Sequence, residues 1–417
     1  MKFGATLMRQ AEDLARFTED EPRVTRTYLS PEHKAAGDYL IGLMRAAGME
    51  AGFDALGNIV GRYAAADASG SAPAPVVITG SHQDSVRNAG KYDGLYGILT
   101  AIACVGDLHA RHKRLPYTLE VIGFGDEEGV RFGATLIGSK AMAGAFDPAW
   151  LDKADANGVT MRQALRDFGG DPDAWQSIDR RGKNVAAFVE SHIEQGPVLL
   201  NAGLAVGVVT AIAGATRLRA TLAGLAGHAG TVPMGQRRDA LVAASEMVLY
   251  VERYCTEHRD QGGLVGTVGV IEAKPGAANV IPQDVSFTID VRSGDDTARR
   301  HAVASLRAQF SAIAARRDVT LDLNAFYEAD AAPCDAALQA QFARAIAAQG
   351  VAVRHLPSGA GHDAMVFPAV CPTAMLFVRC GNNGISHHPD ETMTAEDAEL
   401  STRVLLDFFE NLTPTQA

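Results

Sequence analysis

Apolar and polar positions change their period several times along the chain, and each change marks an element. The first 70 residues carry helical spacing that gives way to a strand pattern around residues 57–63. The stretch 64–75 (AAADASGSAPAP) is small, polar and proline-bearing. It predicts an exposed turn between two strands, because sheet-like signals resume at once in Val76-Val77-Ile78-Thr79. From Val76 to about Thr210, short apolar runs alternate with helical ones. Leu95 to His109 reads as a helix, and Leu119 to Phe124 and Val185 to Val189 read as strands. Residues 150–175 read as outer helices. The alternation predicts an α/β layer with a largely parallel sheet.

The pattern changes near residue 213. Thr216 to Leu222 alternates like a half-buried strand, Arg238 to His258 is an amphipathic helix, and Leu264 to Ile271 is a glycine-bearing strand. Gln283 to Arg292 is a strand with Val285, Phe287, Ile289 and Val291 on one face. A helix over Asp295 to Arg317 and a strand over Val319 to Tyr327 follow. The order βαββαβ reads as a ferredoxin-like split unit inserted as its own domain. The α/β character then returns, with a helix over Asp335 to Gln349, a strand over Ala374 to Val378 and a closing helix over Ala395 to Leu412. The expected division is one domain from 1–212 with 329–417, and an insert over 213–328.

Composition narrows the class. A chain of 417 residues, 47% hydrophobic and 21% charged, has the make-up of a globular protein large enough for two domains. A net charge of -11 argues against general nucleic-acid binding. No apolar run reaches the roughly 18 residues that suggest a membrane span. Five scattered cysteines without a C-x-x-C pair, and an N-terminus without the apolar core of a secretory signal, predict a cytoplasmic protein.

Four predicted strands run directly into polar clusters. They end at His82 and Asp84, at Asp126-Glu127-Glu128, at Glu190 to Gln195, and through residues 379–384 at His387-His388. Ligands of open α/β sheets bind at the carboxyl ends of the strands, so the four clusters should meet at one edge. Asp93, eleven residues after His82, stands just before a helix, where the helix dipole favours an ionised carboxylate. Imidazole with carboxylate suits a borderline divalent ion. Adjacent Glu127 and Glu128 repel each other unless a cation intervenes. One could then ligate while the other serves as a base. Zn²⁺ or Mn²⁺ fits such a donor set, and a bridging aspartate suggests two ions.

The segments GSHQDSVRNAGKYDG, DEEGVRFGATLIGSKAMAG, ESHIEQGPVL, GHAGTVPM, ANVIPQD, SGAGHDA and GISHHPDE span residues 80–391. As an ordered set they resemble the zinc-dependent aminoacylase/carboxypeptidase (M20) superfamily, and within it the N-carbamoyl-L-amino-acid and allantoate amidohydrolases. The resemblance implies a catalytic α/β domain and an inserted lid that also forms a homodimer. It implies two divalent ions, Zn²⁺ foremost, with Mn²⁺, Co²⁺ or Ni²⁺ suiting the same ligands. Asp93 would bridge them. Glu128 and His387 would complete one site, and His82 and His192 the other, with His388 an alternative to its neighbour. Asp84 would orient the His82 ring, and Glu127 would be the general base.

In the insert, the resemblance implies that His228 stabilises the oxyanion and that Arg292 binds a substrate carboxylate. Asn279 and Gln195 offer the donors and acceptors that a ureido group requires, and Gly361 would present a backbone amide. The function implied is hydrolysis of a small ureido acid, an N-carbamoyl-L-amino acid or allantoate. N-acyl amino acids or dipeptides are a further substrate class, and a catalytically silent homologue that binds and senses amino-acid derivatives is the reading from outside enzymology.

Overall fold

The computed structural model describes residues 2–66 and 73–413, so the middle of the turn expected over 64–75 falls outside the described residues. The chain divides into two compact units. The first comprises Met1–Thr210, Cys334–Leu356 and His362–Ala417, and the second Ala211–Pro333 with Pro357–Gly361.

The first unit is built on a mixed sheet. Among the described residues, seven of its nine strands lie in the order Glu50–Phe53, Ile59–Tyr63, Thr118–Phe124, Val76–His82, Val185–Ile193, Thr373–Val378, Val206–Ile212, and the short strands Ala332–Pro333 and His355–Ser358 pair with the last of these. Val76–His82 runs parallel to both neighbours, and Val185–Ile193 runs parallel to Thr373–Val378. The remaining pairings in that order are antiparallel. Thr118–Phe124, Val185–Ile193 and Thr373–Val378 are buried along their whole length. That is why they read as unbroken apolar runs, with both faces of the sheet covered.

Helices Leu95–Ala110 and Ala395–Asn411 pack over this sheet, and Ile98, Val105, Val121, Leu405 and Phe408 are all fully buried between them. Tyr117 Oη donates to the Phe409 carbonyl at 2.6 Å and ties the sheet to the last helix. Helix Pro31–Ala46 starts where local chemistry dictates. Ser30 accepts the His33 amide, and Pro31 occupies a first-turn position whose N–H would be unpaired in any case. Phe188 stacks on Phe367 with centroids 3.9 Å apart. Among the described residues no helix is long and apolar enough to cross a membrane.

The second unit is an antiparallel sheet in the order Ile271–Lys274, Asp284–Ser293, Gly214–Ala223, Thr320–Ala329. Val285, Phe287, Ile289 and Val291 share its buried face with Met247 of helix Ala240–Glu257 and with Leu306 and Phe310 of helix Asp296–Arg317. Thr288, Asp290 and Arg292 alternate onto the other face. The strand expected from Leu264 to Ile271 is interrupted. Thr267 pairs with Asp290 and Ile271 with Phe287, four steps against three. One residue is therefore extra, and the strand bulges beside Gly269. A short ribbon pairs Gly227–His228 with Val280–Ile281.

Candidate metal centre

The parallel register delivers the polar clusters to one edge of the first unit. His82 is the last residue of its strand and pairs with Phe124, two residues before Asp126. His192 lies opposite Phe377 on the neighbouring strand. Asp93 precedes Gly94, which caps helix Leu95–Ala110 at φ +65°. A Cβ on Gly94 would come within 2.5 Å of the His82 ring, so only glycine lets Asp93 approach this closely.

The two carboxylate oxygens of Asp93 face different partners. Oδ1 lies 3.3 Å from His192 Nε2 and 3.7 Å from His82 Nε2. Oδ2 lies 3.1 Å from His387 Nε2, which is itself 3.5 Å from Glu128 Oε1. Ligand atoms of His82, Asp93 and His192 fall within 4.8 Å of one another, as do those of Asp93, Glu128 and His387, and those of His82, Glu127 and Glu128. These nitrogen and oxygen donors, without thiolate, fit a borderline divalent cation. Glu190, His192 and His362 form a fourth such group. There both Glu190 oxygens are taken, by the Ser81 hydroxyl at 2.6 Å and the Ala364 amide at 2.9 Å.

The ring tautomers suit ligation. His82 Nδ1 is 3.0 Å from the Asp84 carbonyl, and His192 Nδ1 is 2.8 Å from the Ile193 carbonyl. A carbonyl only accepts, so each Nδ1 carries a hydrogen, and each Nε2, on the side of Asp93, is the ring atom available to an ion. The Asp84 carboxylate is 3.6 Å from His82 Nδ1 and serves elsewhere. It accepts the backbone amides of Glu127 and Glu128 at 3.0 and 3.1 Å, fixing the two-glutamate turn. Asp84 thus orients His82 through its main chain and the glutamates through its side chain.

Glu391, which the sequence reading assigns no role, completes the surround together with Gln195. Buried Glu391 accepts the Tyr92 and Asp93 amides at 2.9 and 3.2 Å and the Ser386 hydroxyl at 2.7 Å. Gln195 donates to Asp93 Oδ1 at 3.0 Å and to Ser386 at 3.2 Å. Its amide nitrogen thus faces Asp93. Gln195 and His387 both sit in the left-handed region, at φ +55° and +54°. Such backbone is retained where the surroundings demand it. His388 accepts the Asp390 amide at 3.2 Å and lies apart from this cluster.

The electrostatics are those of crowded like charges. Burial drives Glu127 well above the ordinary carboxylate range, with Glu128 and Asp363 adding to it. Burial also raises Glu128 to about 7 and Glu391 to about 7. Asp93 goes the other way. Burial opposes its ionisation, but the bonds from His387 and His82 hold it well below its usual value. A cation placed among these groups would relieve the repulsion between the glutamates.

The second unit carries the remaining sequence candidates. His228 is exposed on the ribbon, and its ring accepts the Gly230 amide at 3.1 Å. The next residue, Ala229, donates its amide to the Asn279 carbonyl at 2.9 Å. That bond closes the turn after the ribbon strand and keeps His228 and Asn279 close together. Arg292 donates to both oxygens of Asp290 and, through Nη1, to the Gly359 carbonyl at 2.9 Å. Gly361 is exposed in the same turn region.

Comparison with known proteins finds relatives over most of the chain. Residues 78–411 match peptidase family M20/M25/M40. The chain is 39% identical to an N-carbamoyl-L-amino acid amidohydrolase of Geobacillus stearothermophilus, over 92% of this chain and 91% of that one. It is 38% identical to a probable allantoate deiminase of Oryza sativa subsp. japonica, over 96% of this chain and 86% of the other. A crystal structure of a hydantoinase/carbamoylase family amidase from Burkholderia multivorans superposes with a TM-score of 0.90 at 33% identity, over 97% of both chains.

Proposed function

The chain belongs to peptidase family M20/M25/M40, and from that premise we propose that it is a binuclear metal-dependent amidohydrolase of N-carbamoyl-L-amino acids. One water is consumed, and the products are ammonia, carbon dioxide and the L-amino acid. The observation that carries the reading is the division of Asp93, with Oδ1 toward His82 and His192 and Oδ2 toward His387. A carboxylate so flanked suits two ions, Zn²⁺ foremost and Mn²⁺, Co²⁺ or Ni²⁺ as alternatives. His82, His192 and Asp93 would hold one, and Asp93, Glu128 and His387 the other. When bound, the ions polarise water and the scissile carbonyl.

The chain's own residues supply the rest. Glu127 stands beside Glu128 and His82 without being needed as a ligand, and its raised proton affinity suits a group that takes a proton from water and returns it to the leaving nitrogen. Asp84 and Glu391 hold the turns that carry Glu127, Glu128 and Asp93. In the second unit, His228 is assigned the oxyanion, Arg292 the substrate carboxylate, Asn279 the ureido group and Gly361 a backbone contact. The strand order of that unit, with two helices on one face, supports a ferredoxin-like topology, and the family resemblance assigns it the roles of lid and homodimer surface. A cytoplasmic location completes the reading.

Hydrolysis of allantoate is the alternative reading, favoured by the 38% identity to a probable allantoate deiminase. N-acyl amino acids and dipeptides come third. The test is ammonia release by metal-loaded protein offered N-carbamoyl-L-amino acids and allantoate side by side, with a chelator-treated control. Chelator-sensitive ammonia supports the reading, and the faster substrate names the branch. Cleavage of N-acyl amino acids without ammonia from either ureido compound would overturn it.

A further inference from the structure

The open face of the second unit's sheet holds a cavity of about 540 Å³ lined by Arg217, Asp290, Arg292, Val265, Thr288 and Phe326. Sheet geometry brings its charged groups together. Asp290 and Arg217 are direct cross-strand partners, and Arg292 follows Asp290 by two residues on the same face. Asp290 Oδ1 accepts Arg292 Nε–H at 3.1 Å, and Oδ2 accepts Arg292 Nη2–H at 3.0 Å. Oδ2 also accepts Arg217 Nε–H at 3.1 Å. The Arg217 guanidinium is further held over the Tyr327 ring, 4.8 Å from its centroid.

A guanidinium has five N–H donors in a rigid plane. Asp290 occupies the side fork of Arg292, formed by Nε and Nη2, and Gly359 takes one hydrogen of Nη1. A ligand carboxylate can then meet Arg292 only through the terminal nitrogens. Two guanidinium groups around one carboxylate also leave a single net positive charge.

We infer that Asp290 is a positioning residue that aims Arg292 end-on and sets this cavity to recognise one carboxylate group, with Arg217 supplying the balancing charge. The inference rests on the assignment of Arg292 to the substrate carboxylate. It adds a specificity rule: monocarboxylic ligands are accepted, and dicarboxylic ones are disfavoured because Asp290 and Gly359 leave Arg292 only its terminal nitrogens for a ligand carboxylate.

The test is calorimetric titration of the metal-loaded protein with L-alanine, L-alaninamide and L-aspartate, none of which needs to be turned over. Wild type should favour L-alanine over L-alaninamide by about tenfold or more, the scale of a charge-assisted bond. Asp290→Asn should erase most of that preference and raise L-aspartate relative to L-alanine. Asp290→Glu should retain it. If Asp290→Asn fails to fold by melting, Arg217→Met serves instead, and it should weaken L-alanine several-fold while leaving L-alaninamide unchanged. Equal binding of acid and amide by wild type, or unchanged preferences in the variants, would overturn the inference. A protein with the Asp290-dependent preference that releases no ammonia from ureido acids would lose the ureido reading and keep this one.

Discussion

Asp84 holds Glu127 by its main chain: Asp84 Oδ1 accepts the Glu127 amide at 3.0 Å, while Oδ2 accepts the Glu128 amide at 3.1 Å. One carboxylate thereby places the candidate base and a candidate ligand together. In Asp84→Asn one oxygen becomes an NH₂ group that faces a backbone donor. Metal affinity or activity should fall about 10–100-fold, the usual cost of losing a group that orients a ligand. Metal titration and kcat measured on the same preparation check this. A variant with wild-type values for both would contradict it.

Glu127→Gln separates base from ligand. The amide keeps the shape of the side chain but cannot take a proton. The expected result is a fall in kcat of roughly 10²–10⁴-fold with metal content unchanged, read by elemental analysis. Loss of metal along with activity would make Glu127 a ligand instead.

The two adjacent histidines differ in what they face. His387 Nε2 points to Asp93 and Glu128, whereas His388 Nδ1 accepts the Asp390 amide. His387→Ala should lose bound metal and activity. His388→Ala should keep both within about a factor of three, since its side chain is an exposed one outside the cluster. The reverse pattern would exchange their roles.

Stripping the metal should lower the melting temperature as well as abolish activity. An ion bound only by the folded chain at a hundred times its Kd adds roughly 2.7 kcal/mol. Melting curves with and without a chelator, followed by re-addition of Zn²⁺ or Mn²⁺, measure the effect. Identical curves in the two states would argue against a bound ion.

His33 predicts an acid-sensitive fold. Its ring is fully buried near Tyr28 and Phe168, and burial pushes its pKa down to about 3. The unfolded chain binds this proton from about pH 6.5 downward, whereas the folded chain does not until about pH 3. Unfolding therefore takes up a proton in that window. The stabilising contribution is complete above about pH 6.5 and is lost as the pH falls, by about 2 kcal/mol at pH 5. Urea unfolding at pH 7 and pH 5 should show a smaller loss in His33→Leu than in wild type. Parallel losses would remove His33 as the cause.

Much of this arrangement is legible from strand ends. His82, Glu128, His192 and His387 each follow an apolar run, and a parallel sheet sends such ends to one edge. The Thr267–Ile271 bulge is not legible, because an extra residue changes which partner each position meets without altering the apolar pattern. Glu391 escapes a sequence reading for a different reason. It bonds the Asp93 amide from 298 residues away, and a lone glutamate before a helix looks solvated until the chain folds around it. Gln195 is visible as a polar residue, but its direction is not. Its left-handed backbone turns the amide onto Asp93.

The strand Thr373–Val378 lies between Val185–Ile193 and Val206–Ile212. On the ribosome, those two neighbours emerge well over a hundred residues before it. Until it arrives they have open edges where it will sit, and His387 is not yet synthesised. The second unit, nearly all of it made in that interval, can fold first as a unit of its own. A message cut short before residue 373 would then yield a chain with an unfilled slot in its central sheet, prone to pair with other chains. Vectorial synthesis thus leaves the first unit's sheet and the candidate metal centre to be completed near the end of translation.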